Sequence, residues 1–174
     1  MNFVLDVFLF LIPLFFIFLK KPSISFKELL HLQGLRKISF KKLINSIFLI
    51  LFLLFFFAYL LNFVSYIFNI SDLELVSNNI ITYSILEILY LFVIRVFVEE
   101  WFFRSFLVPR LGVFFSSLLF ALAHFGYGSI IEVFGAFALG FLLSKIYSLN
   151  KNILPNFISH MIYNFIVYLL LILV

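Results

Sequence analysis

The sequence contains no cysteine, and few of its residues carry charge. Cysteine is absent from all 174 positions, which excludes disulfides, thiolate zinc sites and cysteine nucleophiles. Only 11% of the residues are Asp, Glu, Lys or Arg, whereas 66% are hydrophobic. A water-soluble domain of this length needs far more polar surface to cover its core. The scarcity of charge therefore predicts a protein solvated by lipid.

The chain also lacks several common sequence signatures. There is no G-x-S-x-G and no His-Glu-x-x-His, so neither a serine elbow nor a zincin helix has support. No internal repeat and no long linker divides the chain, which indicates one continuous membrane domain. The first apolar run has no basic region before it and no small-x-small pattern after it, so we expect a retained helix and not a cleavable signal peptide.

Apolar runs predict an all-α bundle of about six transmembrane helices. Pro109, the turn Gly126–Gly128 and the segment Asn150–Asn152 are expected to separate the later ones. The predicted helices are Phe3–Leu19, Leu43–Ile70, Ile80–Val108, Val113–Phe125, Ser129–Leu149 and one opened by Pro155 that runs to the C-terminus.

The basic residues predict the orientation of the bundle. Most of them lie in gaps between apolar runs, above all in the connection Lys20–Lys42. The positive-inside rule places this connection in the cytoplasm, where part of it is expected to lie along the headgroups as an amphipathic segment. His31 is expected to be interfacial there. The loop Ser71–Asn79 and both termini then face outward, and the net charge of +4 reports orientation and not nucleic-acid binding.

Several polar side chains fall inside predicted helices. A charge there costs at least about 2.5–3.5 kcal/mol on insertion scales, so each needs a physical reason. Glu87 and Glu132 lie near the outer ends of their helices and are expected to be interfacial. The others cluster on helices three, four and six: Arg95, Glu99, Glu100, Arg104, His124, His160 and Asn164.

Their spacing indicates which side chains share a face. Residues four apart can pair, which applies to Arg95 with Glu99 and to Glu100 with Arg104. Two structural ion pairs would explain these residues without catalysis. For Glu99 we favour a catalytic role, because a carboxylate in a low-dielectric cavity can act as a base near neutral pH. Imidazoles can share the proton, and a carboxamide can donate to an oxyanion.

Three motifs in this order resemble a known family. Glu99-Glu100-Trp-Phe-Phe-Arg104 fits E-E-x-x-x-R, Phe120-Ala-Leu-Ala-His124 fits F-x-x-x-H, and His160-Met-Ile-Tyr-Asn164 fits H-x-x-x-N. Together, on apolar helices, they resemble the CPBP intramembrane proteases. That family comprises type II CAAX prenyl endopeptidases, bacteriocin-processing and immunity-associated proteins, and abortive-infection-like proteins. The resemblance covers the core, residues 80–174, whereas residues 1–79 supply the first two helices and the basic connection.

The resemblance implies a role for each motif residue. Glu99 would be the base that activates water, with help from His124. His160 and Asn164 would stabilise the oxyanion or belong to the same polar cluster. Glu100 and Arg104 become supporting residues. The resemblance leaves the metal open: we expect no obligatory cofactor, with Glu99, His124 and His160 as the ligands should zinc be present.

The sequence thus predicts an intramembrane endopeptidase in the plasma membrane. Its cavity is expected to open to the cytoplasm, and its partners are expected to be membrane lipids and a peptide or lipidated protein substrate. Two alternatives stay open. One is a non-catalytic immunity or scaffold protein that keeps the polar cluster for packing. The other is a small transporter or proton relay, which the gathering of ionisable groups toward one side disfavours.

Overall fold

The computed structural model of the protein describes residues 3–70, 72, 76 and 82–173. Every element of two or more residues in this part of the chain is helical. The helix that we call α4 covers residues 85–107 and joins four segments, Ile85–Leu89, Tyr90–Arg95, Val96–Glu99 and Glu100–Leu107, of which the second and fourth are π-helical. The other helices are α1 (Phe3–Lys20), α2 (Phe26–Leu32), α3 (Phe40–Ile67), α5 (Val108–Ala123), α6 (Ile130–Asn150) and α7 (Ile153–Leu173).

Five helical stretches are long and apolar enough to cross a membrane: Phe3–Lys20, Phe40–Ile67, Ile85–Tyr127, Ile130–Asn150 and Ile153–Ile172. The third has 43 residues, about twice what a 30 Å hydrocarbon core requires. It bends at Gly112, whose φ of 80° and ψ of 173° are not helical. Its two arms correspond to the predicted helices three and four. The predicted all-α membrane bundle is therefore confirmed.

The bend corrects one predicted helix end. Pro109 was expected to stop helix three, yet the helical conformation continues from Leu107 and Val108 through it. The chain turns instead at Gly112, because glycine adopts a positive φ without steric cost. At the other end of α4 the predicted start, Ile80, lies outside the described residues. The helix begins at Ile85, where a capping box joins Ser84 and Glu87.

Helices α1 and α4 run in the same direction, side by side. Three aromatic pairs show which positions of α1 and α4 lie next to each other. The ring centroids are 5.9 Å apart for Phe3 and Tyr90, 5.3 Å for Phe10 and Trp101, and 5.6 Å for Phe16 and Phe106. Parallel α1 and α4 agree with the predicted orientation, in which both helices run from the outside inward.

Three apolar clusters hold the remaining helices together. The first joins α4, α5 and α6, the second joins α3 to α6, and the third joins α4, α5, α6 and α7. Many large apolar side chains, such as Phe40 and Phe52 on α3, point away from these clusters and are exposed. Exposed apolar faces of this extent are stable in lipid and not in water.

The basic connection is docked on the turn between α6 and α7. The Ile153 amide donates to the Gly34 carbonyl at 3.0 Å, and the Asn152 carboxamide donates to the Arg36 carbonyl at 2.8 Å. Within the connection, α2 starts with a capping box formed by Ser25 and Glu28. Hydrogen bonds from the Ser25 amide and hydroxyl lower the pKa of Glu28. The connection thus contains a short helix, and its position along the headgroups stays a prediction.

Asp72 fixes the start of α6 from the opposite end of the bundle. Its carboxylate accepts from the Ser129 hydroxyl at 2.7 Å and from the Ile130 amide at 2.5 Å. Partial burial raises the pKa of Asp72, but the hydrogen bonds from Ser129, Ile130 and Ile131 outweigh it and hold the pKa below its ordinary value of 3.8. The charged form is therefore the one that caps α6.

Asp72→Asn is expected to lower the thermal unfolding midpoint in detergent at neutral pH by about 2–4 °C, as for the loss of a helix cap. Because the folded pKa lies below the unfolded one, the capping contribution is complete above pH 5. It is lost as the pH falls through the folded pKa. Unfolding midpoints of both proteins between pH 7 and pH 3 check this, and a difference that persists unchanged at pH 3 would contradict it.

Gly140 on α6 permits a close approach of Phe120 on α5. A Cβ atom at Gly140 would lie 2.8 Å from Cδ1 of Phe120, closer than carbon atoms pack. Gly140→Ala is therefore expected to cost about 1–3 kcal/mol, as overpacking does. Thermal unfolding measures the loss. Gly135→Ala on the same helix is the matched control, because its Cβ would meet only Leu61 at 3.6 Å. An equal change in both variants would refute the steric explanation.

Candidate functional site

Four polar side chains form a buried group that we call the inner cluster: Glu100, Arg104, Asn156 and His160. Oε1 of Glu100 lies 3.0 Å from Nδ1 of His160, and its Oε2 accepts from Nδ2 of Asn156 at 3.3 Å. Asn156 also donates to the Leu143 carbonyl at 2.8 Å. These contacts join α4 to α7 and to α6, and Glu100 has no exposed surface.

Arg104 supplies the positive charge of the inner cluster. Its Nε lies 3.4 Å from Oε2 of Glu100, and the residue is fully buried. In the part of the chain that the structure describes, none of its three guanidinium nitrogens forms a hydrogen bond. The guanidinium carbon lies 4.4 Å from the centre of the Phe120 ring. Charge attraction and a cation–π contact therefore hold this side chain in place.

A second polar group, the outer cluster, lies toward the end of the bundle at which α6 begins. Glu99 faces Arg95, with 3.3 Å between Oε1 and Nε, and is 8% exposed. Tyr127 is within electrostatic range of both residues. Glu132 is within range of Glu99 and of His124. The outer cluster thus comprises five residues from α4, the turn that follows α5, and α6: Arg95, Glu99, His124, Tyr127 and Glu132.

His124 ends α5 and is anchored by its own helix. Its Nδ1 lies 2.8 Å from the Phe120 carbonyl, an acceptor, so Nδ1 carries the hydrogen. Its Nε2 then carries the lone pair whenever the ring is neutral. The Phe120 ring is 4.5 Å from the His124 ring and 6.1 Å from the His160 ring. Phe120 therefore lies between the two clusters and contacts both.

The structure brings some of the predicted site residues together. Both ion pairs expected from the spacing on α4 are present. His160 contacts Glu100, however, whereas Glu99 contacts Arg95. Asn164 lies one turn beyond His160 and is half-buried, and no described residue forms a hydrogen bond with its carboxamide. The roles proposed for Glu99, His124, His160 and Asn164 stay predictions.

Three further residues of the clusters were missed in the sequence. Asn156 precedes His160 by four residues, so the face of α7 that bears the H-x-x-x-N motif extends one turn earlier. Glu132 was expected to be interfacial, yet it lies among the outer cluster. Tyr127 sits in a glycine-flanked turn, where no periodicity signals its position. Only Asn156 could have been found from spacing.

The three residues proposed as zinc ligands do not form one group in the structure. Among the described residues, no three His, Asp or Glu side chains are grouped closely enough to hold a metal ion. Glu99, His124 and His160 are divided between the two clusters, with Phe120 between the histidines. As placed, these residues do not fit a zinc site.

A cavity of about 430 Å³ opens near the basic end of the bundle, between α1, α2 and the start of α5. Lys20, Lys21 and Arg110 line it together with Gln33 and Ser105. The Ser105 hydroxyl donates to the Gln33 side chain on its buried wall. This cavity does not include the residues of either cluster. The cytoplasmic opening expected for the cavity around Glu99 stays a prediction.

Comparison with known proteins supports the resemblance carried by the three motifs. Residues 81–166 match the family described as type II CAAX prenyl endopeptidase Rce1-like. The matched segment includes every motif residue from Glu99 to Asn164. No curated protein and no solved structure matches the chain. With its apolar helices and this match, the chain is a multi-pass membrane protein that belongs to the Rce1-like, CAAX-type family of intramembrane proteases.

Proposed function

We propose that the protein is an intramembrane endopeptidase in which Glu99 activates water to hydrolyse a peptide bond. The family match supports peptide hydrolysis as the reaction class. The observation that carries the assignment is the contrast between the two adjacent acids. Glu100 is fully buried and has three partners in the inner cluster, whereas Glu99 has a single ion pair with a partly exposed arginine.

A base must be able to approach the substrate and must exchange a proton. Glu100 can do neither without breaking its contacts to Arg104, Asn156 and His160. Glu99 is released by the loss of one contact, that with Arg95. Glu99 is therefore the better candidate of the two.

In the proposed reaction, Glu99 takes a proton from a water molecule as the water oxygen bonds to the carbonyl carbon of the substrate. The carbonyl oxygen becomes an oxyanion. When this intermediate collapses, the carbon–nitrogen bond breaks and the leaving nitrogen takes the proton from Glu99. The carboxylate is thereby restored, and the products are a carboxylic acid and an amine.

The histidines and Asn164 assist this reaction in different ways. His160 donates Nδ1–H to Glu100, which fixes the ring and leaves Nε2 for the reacting group. His124 is fixed through Nδ1 in the same manner and offers Nε2 to the water. The Asn164 carboxamide forms no hydrogen bond with a described residue, and it serves as a neutral donor to the oxyanion. Glu100 and Arg104 keep His160 and Phe120 in position.

The substrate is proposed to be a lipidated or membrane-associated peptide tail at the cytoplasmic surface of the plasma membrane. The family description names CAAX prenyl endopeptidases, which supports a prenylated tail as the first substrate to test. The basic connection Lys20–Lys42 supports the same side, because lysine and arginine are enriched in cytoplasmic loops.

Glu99→Gln is expected to reduce kcat by about 10²–10⁴-fold, the range that a general base contributes, while the thermal unfolding midpoint stays unchanged. Hydrolysis of quenched prenylated peptides in liposomes measures the rate. Glu87→Gln is the matched control on the same helix, because glutamine also closes a capping box. Cleavage by wild type and Glu99→Gln alike would show that Glu99 is not the base. We expect cleavage to persist in a chelator.

Glu100→Gln is expected to act on folding first. It leaves the Arg104 charge fully buried without a counter-charge, which costs about 3–5 kcal/mol. The variant should show a much lower yield of folded protein and a lower unfolding midpoint in detergent than Glu99→Gln. Equal stability of the two variants would mean that the ion pair with Arg104 contributes little. A folded Glu100→Gln protein without activity would instead make Glu100 the better candidate for the base.

A further inference from the structure

Asp6 on α1 is a buried acid that the proposed reaction does not use. The residue is only 3% exposed and lies in an otherwise apolar helix. Its Oδ2 accepts a hydrogen bond from the Tyr90 hydroxyl at 2.9 Å. Its Oδ1 is buried and has no hydrogen-bond partner among the described residues. An unpaired carboxylate oxygen in an apolar environment is costly, so a donor is expected to reach it in some state of the protein.

The register of α1 against α4 identifies the donor. Asp6 lies between Phe3, which contacts Tyr90, and Phe10, which contacts Trp101. Asp6 itself contacts Tyr90, so the segment of α4 beside it is Tyr90–Arg95, which ends in a guanidinium. The π-helical segment Tyr90–Arg95 strengthens this placement, because its i to i+5 hydrogen bonds bring residues five apart onto one side of the helix. Arg95 is also within electrostatic range of Asp6.

Arg95 thus stands between two acids. Its Nε contacts Glu99 at 3.3 Å on the next turn of α4, and Asp6 offers an unoccupied oxygen on α1. Four further ionisable groups lie within electrostatic range of Glu99 or Arg95: Tyr90, Arg104, Tyr127 and Glu132. Of the acids, Asp6 combines burial, an unpaired oxygen and a fixed orientation through Tyr90.

We propose that Asp6 is a positioning residue: its free oxygen receives the Arg95 guanidinium when substrate enters, and this transfer releases Glu99 to act as the base. The guanidinium stays charged throughout and exchanges one carboxylate partner for another. The burial of Arg95 is thus compensated both before and after the transfer. The inference rests on the proposed role of Glu99, and it adds a function for α1, which lies outside the matched segment.

The test is a double-mutant cycle on hydrolysis in liposomes. Asp6→Asn keeps the shape of the side chain but removes the charge that attracts Arg95. In the wild-type background it is expected to lower kcat about ten-fold with KM unchanged, within the coupling range of contacting residues. In an Arg95→Gln background it is expected to leave kcat unchanged, because no guanidinium remains to be moved. Glu28→Gln, which removes one exposed negative charge on α2, is the control for net charge.

The outcomes separate this inference from the proposed function. Equal losses of kcat in both backgrounds, or no loss in the wild-type background, would overturn the role of Asp6 while leaving Glu99 as the base. A wild-type protein that cleaves nothing would overturn both. Should Asp6→Asn fail to fold, Tyr90→Phe replaces it. This variant removes the hydrogen bond that orients the Asp6 carboxylate and is expected to lower kcat about two- to three-fold, again only when Arg95 is present.

Discussion

The ion pair between Glu100 and Arg104 is the constraint on which the rest of the structure depends. Two opposite charges that are fully buried cannot separate without a large loss of electrostatic energy. They therefore hold one face of α4 toward α7, where His160 and Asn156 complete the coordination of Glu100. The position of Phe120, under the guanidinium, follows from the same pair. Helices five, six and seven are thus arranged around a single charged centre.

This arrangement gives the two adjacent acids on α4 different surroundings. Glu99 and Glu100 point in directions about 100° apart, so the burial of one determines where the other can lie. Glu100 satisfies its oxygens within the protein, and Glu99 faces the more open outer cluster. An acid with three partners, Glu100, and an acid with a single ion pair, Glu99, therefore occupy two successive positions of α4.

Much of this arrangement could be read from the sequence, for physical reasons. Lipid as solvent fixes helix length and composition, so the helices and the turns at Gly128 and Lys151 follow from apolar runs and their interruptions. The two ion pairs follow from the spacing of four. The partner of His160 did not follow, because spacing along a helix gives faces but not the rotation of one helix against another. The proximity of Glu132 to Glu99 and His124 did not follow either, because it depends on how α6, whose start is held by Asp72, packs against its neighbours.

The π-helical turns of α4 determine how its first half is rotated relative to the half that bears Glu99 and Glu100. Each such turn accommodates one residue more than an α-turn, and the segment Tyr90–Arg95 lies directly upstream of Glu99. If the same residues formed ordinary α-turns, with none deleted, everything that precedes them would be rotated relative to the acids by about 100°. Arg95 and Tyr90 would then be carried away from α1 while the inner cluster stayed in place. The wider turn thus sets the rotation of the first half of α4 relative to the second. The first half can face α1 independently of the half that carries Glu99 and Glu100.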